Sequence, residues 1–427
     1  MVPNGWEIGN FSSLGIKTID GDRGKNYPKK DEYLEDGYCL FLGADNVSSN
    51  GLMLDKKTFL TREKHEQLGN GVVKYDDLLL IMRGNGTGRV CIYDRVISSY
   101  ENARINSGLI IIRLNPDFLD KNFALQLMRS SFVIKQFESF MFGSAQPQLT
   151  VKILKSLKLP RPALPEQRKI AKILSTWDKA IAITEKLIET SKQQKKALMQ
   201  QLLTGKKRLV NPETGKVFEG EWEVHTFEQY FDIGSSKRVL QSEWRDEGVP
   251  FYRTRELVSL AKREAFRSEI FISKELFDSL NEKYGAPKKG DLLVSGVGTL
   301  GISYLVGVGD KFYFKDGNVL WFKNLGNIDS KFFDYCFHSD FVKNQILNQA
   351  TITTVGTYTI TNAKKTKFKC PLDKQEQQKI ASVLTAADKE IEVLQAKLAY
   401  FKQEKKALMQ QLLTGKRRVK VDEEVAA

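Results

Sequence analysis

Apolar residues recur along this chain with two periods, and the pair of patterns occurs twice. Up to about residue 160, short apolar runs stand between turn residues: Tyr38-Cys39-Leu40-Phe41-Leu42, Leu78-Leu79-Leu80-Ile81-Met82, Val90-Cys91-Ile92-Tyr93 and Leu109-Ile110-Ile111-Ile112. Runs of that length bounded by Gly, Asn or Asp predict strands. From Asn122 to Phe142 the spacing turns helical, through Phe123, Leu127, Phe132, Ile134, Phe137 and Phe140. Strands followed by a helical stretch predict an α+β globule. It ends in Leu159-Pro160-Arg161-Pro162-Ala163-Leu164-Pro165, a proline-stiffened linker whose last residue suits the first turn of a helix. Beyond it, steps of four and three run through Ile170, Leu174, Trp177, Ile181, Thr184, Ile188, Ser191, Lys195, Leu198 and Leu202. An apolar repeat of seven with charge on the other faces predicts a coiled-coil helix.

The plan then starts again. Strands are predicted at Leu292-Leu293-Val294, Ile302 to Val306 and Val319 to Phe322, with a helical stretch from Ser330 to Leu347. A second seam follows at Ile380, Leu384, Ala387, Ile391, Leu394, Leu398, Phe401, Lys405, Leu408 and Leu412. Lys195 to Lys206 returns letter for letter as Lys405 to Lys416, 210 positions later, and Glu166-Gln167 returns as Glu376-Gln377. Such identity marks an internal duplication. The expected division is a globule at 1–160, a central helix at 161–207, a second globule at 208–369, a distal helix at 370–418 and a tail at 419–427. Each helix ends at a Thr-Gly step with basic residues behind it. At about 1.5 Å per residue each would span roughly 58 Å. The two helices are expected to pair with each other, antiparallel if the halves are related by a rotation. The N-terminal segment would then lie beside the end of the distal helix.

Composition narrows the setting. The chain has 427 residues, too many for one ordinary core, and a formal net charge of +14, which favours a polyanionic partner. Four cysteines without close pairing (Cys39, Cys91, Cys336, Cys370) fit reduced thiols and a cytoplasmic setting. No signal peptide and no membrane-spanning run are read from the sequence.

Chemistry is sparse. Gly84-Asn85-Gly86-Thr87-Gly88 lacks the Gly-Lys-Ser/Thr of a phosphate loop and reads as a strand-connecting turn. His65, His225 and His338 are scattered, and Cys336-Phe337-His338 has no further ligand at zinc-site spacing. No catalytic constellation, cofactor or metal is expected. Side chains able to read base edges are more frequent, since Arg pairs with guanine and Asn or Gln with adenine. In the first globule the candidates are Arg83, Asn85, Arg104, Gln146 and Gln148. In the second they are Lys237, Arg238, Arg253, Arg255, Thr357 and Tyr358. Lys29-Lys30 and Lys262-Arg263 would touch phosphate, and Lys206-Lys207-Arg208 with its copy would complement the helix C-termini.

Two Trp-initiated globules, each closed by a proline-bearing linker, then Glu-Gln-x-Lys-Ile-Ala and Lys-Lys-Ala-Leu-Met-Gln-Gln-Leu-Leu-Thr-Gly-Lys, closely resemble the specificity subunit of type I restriction-modification systems. The resemblance implies two target recognition domains reading a bipartite, asymmetric double-stranded DNA target. It implies an antiparallel coiled coil that sets the unread spacer. It also implies two modification subunits that methylate adenine, restriction subunits that cleave, and no catalysis in this chain. Two other readings remain from the residues alone: a coiled-coil assembly adaptor without DNA specificity, and an enzyme with an unrecognised site. Within the family, a solitary subunit without partners is a further one.

Overall fold

The computed structural model describes residues 2–141, 148–266, 268–349 and 356–421. Contacts divide the chain into two units, Met1–Leu187 with Leu394–Ala427, and Ile188–Val393. The boundary falls near the middle of both long helices, because one half of each is built into the core of one globule and the other half into the core of the other: Ile170, Leu174 and Leu412 belong to the first core, Leu202, Ile380 and Leu384 to the second.

In the first unit, Lys17–Asp20, Leu109–Arg113, Leu78–Ile81 and Val90–Ile92 form, in that order, an antiparallel four-stranded sheet. Its central strands are apolar from Leu78 to Ile81 and from Leu109 to Ile112 because both faces are covered there. Leu78, Leu80, Ile110 and Ile112 point into a core shared with Phe123, Leu127, Ile170, Leu174 and Leu412. Leu79, Ile81, Leu109 and Ile111 point the other way, into a core shared with Leu40, Leu42, Phe59 and Ile105. That second core lies under a smaller sheet, Phe59–Leu60, Cys39–Leu42 and Ala103–Ile105, whose last pair is parallel. Glu7–Gly9 pairs with Leu159–Arg161 and closes the globule at the root of the central helix.

The second unit repeats this topology. Its main sheet has the order Phe231–Gly234, Val319–Asn324, Leu292–Ser295, Ser303–Leu305, and Trp222–Thr226 pairs with Lys367–Pro371. The small sheet is extended to four strands, with helices at Thr254–Lys262 and Lys274–Tyr284 beside it. The periodicity predicts a single helical stretch in each globule. Each is instead two helices, Lys121–Met128 and Ser131–Met141 in one, Ser330–Phe337 and Asp340–Gln349 in the other. A serine at each break supplies the cause. Ser130 Oγ donates to the Leu127 carbonyl and Ser339 Oγ to that of Cys336, both at 2.6 Å. The hydroxyl satisfies a carbonyl that would otherwise continue the helix.

The central helix is Leu164–Leu202 and the distal helix Lys374–Leu412, 39 residues each. Ile170, Leu174, Ile188, Leu202, Ile380, Leu384, Ile391 and Leu412 are buried. Trp177, Ile181, Leu198, Leu394, Leu398 and Leu408 are half-buried, so the seam faces inward throughout. Within the first unit, Asp178 meets Lys405 at 2.6 Å and Glu185 meets Lys402 at 2.7 Å, a descending pairing that makes the segments antiparallel. The Trp177 and Phe401 rings meet edge to face at 5.6 Å. Within the second unit, Lys195 meets Asp388 at 2.5 Å while Leu202 shares a core with Ile380 and Leu384. The duplicated pair is therefore Asp178–Lys405 and Asp388–Lys195.

The repeated Glu-Gln step is a socket that seats each globule on its helix. Gln167 accepts the backbone N–H of Asp120 (2.9 Å) and donates to the Pro162 carbonyl (2.8 Å). Gln377 does the same with Asp329 (2.9 Å) and Pro371 (2.8 Å). Beside each glutamine a buried glutamate binds an arginine from beyond the other helix's end. Arg418 reaches Glu166 at 2.7 and 2.9 Å, and Arg208 reaches Glu376 at 2.6 and 2.7 Å. These arginines, expected to complement helix termini, form ion pairs instead. Arg418 also donates to the Asn4 carbonyl at 2.8 Å, placing the N-terminal segment beside the distal helix's end as anticipated.

Candidate nucleic-acid interface

Antiparallel order brings four chain ends of each main sheet together at one edge. In the first unit these are the segment after Asp20, the turn from Met82 to Arg89, residues 106–108 and Gln148. Backbone bonds hold them there: Met82 N–H donates to the Gly108 carbonyl (2.9 Å) and Leu149 N–H to that of Met82 (2.8 Å). In the second unit Gly296 N–H donates to Asn318 (2.9 Å) and Tyr358 N–H to Gly296 (2.8 Å). Each globule thus presents a loop cluster in the same topological place. Glycines 84, 86 and 88 have φ of +83°, +89° and +89°, a left-handed run that pushes Asn85 outward.

The sequence-predicted residues divide between this edge and the interior. Arg83 and Asn85 are exposed, and Gln148 bridges the Arg83 backbone. One terminal nitrogen of Arg83 donates to the Ser107 carbonyl and hydroxyl, both at 2.9 Å, which fixes the guanidinium plane. Lys237 and Arg238 are exposed on the segment after Phe231–Gly234 in the second unit, the counterpart of the segment after Asp20. There the Ser235 and Ser236 hydroxyls donate to the Val319 (3.0 Å) and Phe314 (2.7 Å) carbonyls. Thr357 sits at the same edge, bridged to Val297. Gln146 lies outside the described residues.

Four expectations need correction. Arg104 is 4% exposed, so it is not a base reader. Its guanidinium donates to His65 Nδ1 (3.1 Å) and to the carbonyls of Asn70 (2.6 Å), His65 (2.8 Å) and Leu68 (2.7 Å), which uses its donors inside the globule. Tyr358 is 1% exposed, its hydroxyl sharing a 2.6 Å bond with Thr366. Arg253 and Arg255 open the helix Thr254–Lys262 rather than sit in a free loop. Both are paired with Glu256, at 2.6 and 2.7 Å, and with Glu269.

Two side chains at the edges were missed. Arg89, exposed, closes the glycine turn; the turn itself was the signal for it. Tyr284 is 47% exposed with the Lys237 ammonium 5.2 Å from its ring centre. No local pattern joins residues so far apart in the chain.

The Arg104 cluster carries a pH prediction. Burial, then the Arg104 charge, hold His65 below the ordinary histidine value of 6.5. Its neutral Nδ1 accepts from Arg104, with Cys39 Sγ 3.1 Å away. The unfolded chain binds this proton more readily. The contribution is therefore complete above pH 6.5 and is lost as pH falls through the lowered folded value. His65→Gln should flatten the fall in thermal stability between pH 7.5 and 5; an unchanged pH profile would remove His65 from the account.

Among the described residues, no group of three or more His, Cys, Asp or Glu side chains is placed to hold a metal, and no helix is long and apolar enough to cross a membrane. Comparison with known proteins agrees with the two-unit plan. The family model for the type I restriction modification DNA specificity domain matches twice, at residues 3–193 and 219–402. The MjaVIII specificity subunit of a type I restriction enzyme from Methanocaldococcus jannaschii is 29% identical, over 98% of this chain and 94% of its own. A putative MjaX specificity subunit from the same organism is 27% identical, over 98% and 95%. Among solved structures, the type I restriction-modification S subunit from M. genitalium superposes with a TM-score of 0.57 at 16% identity, covering 96% of each chain. A chain from a study of assembly and conformational transition in a type I system gives 0.58 at 17%, over 97% and 98%.

Proposed function

The chain belongs to the type I restriction modification DNA specificity family, with two such domains, and from that premise we propose that each globule reads one half of a bipartite, asymmetric DNA target. The observation that supports this most is the contrast between scaffold and edge. The helices repeat their key positions, Glu166-Gln167 as Glu376-Gln377, Asp178 as Asp388 and Lys195 to Lys206 letter for letter, whereas the loop clusters carry different polar residues: Arg83, Asn85, Arg89 and Gln148 in one, Lys237, Arg238 and Thr357 in the other. Unlike readers on a duplicated scaffold select an asymmetric sequence. The net charge of +14 supplies the salt-dependent, sequence-independent part of binding.

Partner subunits enter through the scaffold. Ile183 and its duplicate Val393 are 61% and 59% exposed on their helices, off the inward seam. An apolar residue kept at the same outward position in both copies suits two equivalent partners. We assign those partners as modification subunits that methylate adenine, with restriction subunits joining them, and assign no catalysis to this chain.

Mapping methylated adenines after co-expression with the matching modification subunit tests the whole reading. A two-part, asymmetric methylation motif is expected; methylation without sequence preference would overturn it. Asn85→Ala should weaken the first half-site alone, by about 1–3 kcal/mol for a bidentate base contact. Equal weakening on all duplexes would make Asn85 a backbone contact.

A further inference from the structure

The second unit contains a groove of about 720 Å³ between the end of the central helix and the helices that follow its main sheet. Lys192, Lys195 and Lys196 line it from the helix, Lys206 from just beyond the helix end, and Lys331, Lys343 and Lys369 from the globule. Three aspartates, Asp334, Asp340 and Asp388, face them. Lys195 is engaged by Asp388 at 2.5 Å and Lys331 by Asp334 at 2.8 Å. The other five lysines have no carboxylate partner among the described residues. The floor is apolar, with Met199, Leu203, Tyr335 and Phe368, and Phe341 stands 45% exposed at the rim.

The helical wall is duplicated and the globular wall is not. Registering the globules on Asp120 and Asp329, which the two socket glutamines bind alike, sets Asn122 opposite Lys331 and Ile134 opposite Lys343. The second register agrees. Gln136 exchanges two hydrogen bonds with the Lys158 backbone as Gln345 does with that of Lys367, so Pro160 corresponds to Lys369. Three cations of the groove therefore belong to the second unit alone.

We propose that this groove is a docking site for an acidic protein segment bearing apolar anchors, one per chain. Apolar side chains would fill the floor while carboxylates meet the lysines at the rim, the arrangement of an anchor in a pocket with a polar surround. A nucleic-acid backbone offers continuous negative charge but nothing to cover half-buried Met199 and exposed Phe341, so the lining favours polypeptide. The site breaks the equivalence of the two halves, and it stands whether or not the loop clusters read DNA.

The probe is a synthetic twelve-residue peptide of Glu and Asp with one Phe and two Leu, titrated calorimetrically into the full-length protein. One peptide per chain is expected. Lys343→Glu with Lys369→Glu should weaken binding at least tenfold, and both lysines are exposed, so folding is untouched. Lys196→Glu should weaken it as well, while Lys406→Glu, the identical helix position in the first unit, should not. Overturning results are two peptides per chain, equal loss from Lys406→Glu, no binding, equal binding when Gln replaces the acids, or displacement by an equimolar twelve-base-pair duplex.

Discussion

Arg208→Ala is expected to destabilise the second unit by about 3–5 kcal/mol, the usual range when one partner of a buried ion pair is removed. Glu376, which it leaves behind, has a side chain with no exposed surface, against 19% for Arg208. The duplicate pair should be more forgiving. Arg418 is 47% exposed, and Glu166 keeps a 3.0 Å hydrogen bond from the Trp6 indole when Arg418 is removed. Trp222, which opens the second globule, gives Glu376 no such support; its indole N–H is buried without a partner. Arg418→Ala should therefore cost distinctly less than Arg208→Ala. Denaturant titration of both variants, with hydrogen exchange locating the loss, measures the difference. Equal effects would mean that the two nodes are energetically the same despite their geometry.

Lengthening both helices by seven residues should move the preferred DNA spacing and leave the half-sites unchanged. A heptad after Thr184, matched by one after Gln403, keeps the Asp178–Lys405 pair on one side of the insertion and the Glu185–Lys402 pair on the other. Seven residues add about 10 Å of helix, or about three base pairs of duplex. The same step turns the second half-site by roughly a third of a turn about the DNA. Binding to the original spacing should fall more than tenfold as longer spacers become preferred. Selection from a random-spacer library measures it. An unchanged optimum would refute the expectation, implied by the family resemblance, that the helices set the spacer.

Long, periodic features were legible in the sequence. The seam residues face inward, and the strands at Cys39–Leu42, Leu78–Ile81 and Leu109–Arg113 lie where continuous apolar runs predict them. Breaks were less so, because Ser130 and Ser339 end helices through a hydroxyl bond that hydrophobic spacing does not register. Site residues were the least legible. Residue type distinguishes an arginine able to pair with guanine from a leucine, yet not Arg83 at a sheet edge from Arg104 among the carbonyls of Asn70, His65 and Leu68. Arg253 and Arg255 look like loop cations until the helix Thr254–Lys262 sets Glu256 beside both and Glu269 closes on them. Burial is decided by distant residues and ion pairing by the local backbone path; the glycine turn carries its outward geometry in adjacent letters.

The socket glutamines have a consequence for how such a protein changes. Gln167 and Gln377 grip their globules through a backbone N–H and a backbone carbonyl, groups every ordinary residue shares. The joint is nearly blind to what it holds: a new globule needs the right chain path at two points, not a matching surface. Exchange of one globule for another would then leave the duplicated helices and their ion pairs intact, because the joint asks for a backbone path rather than for particular side chains.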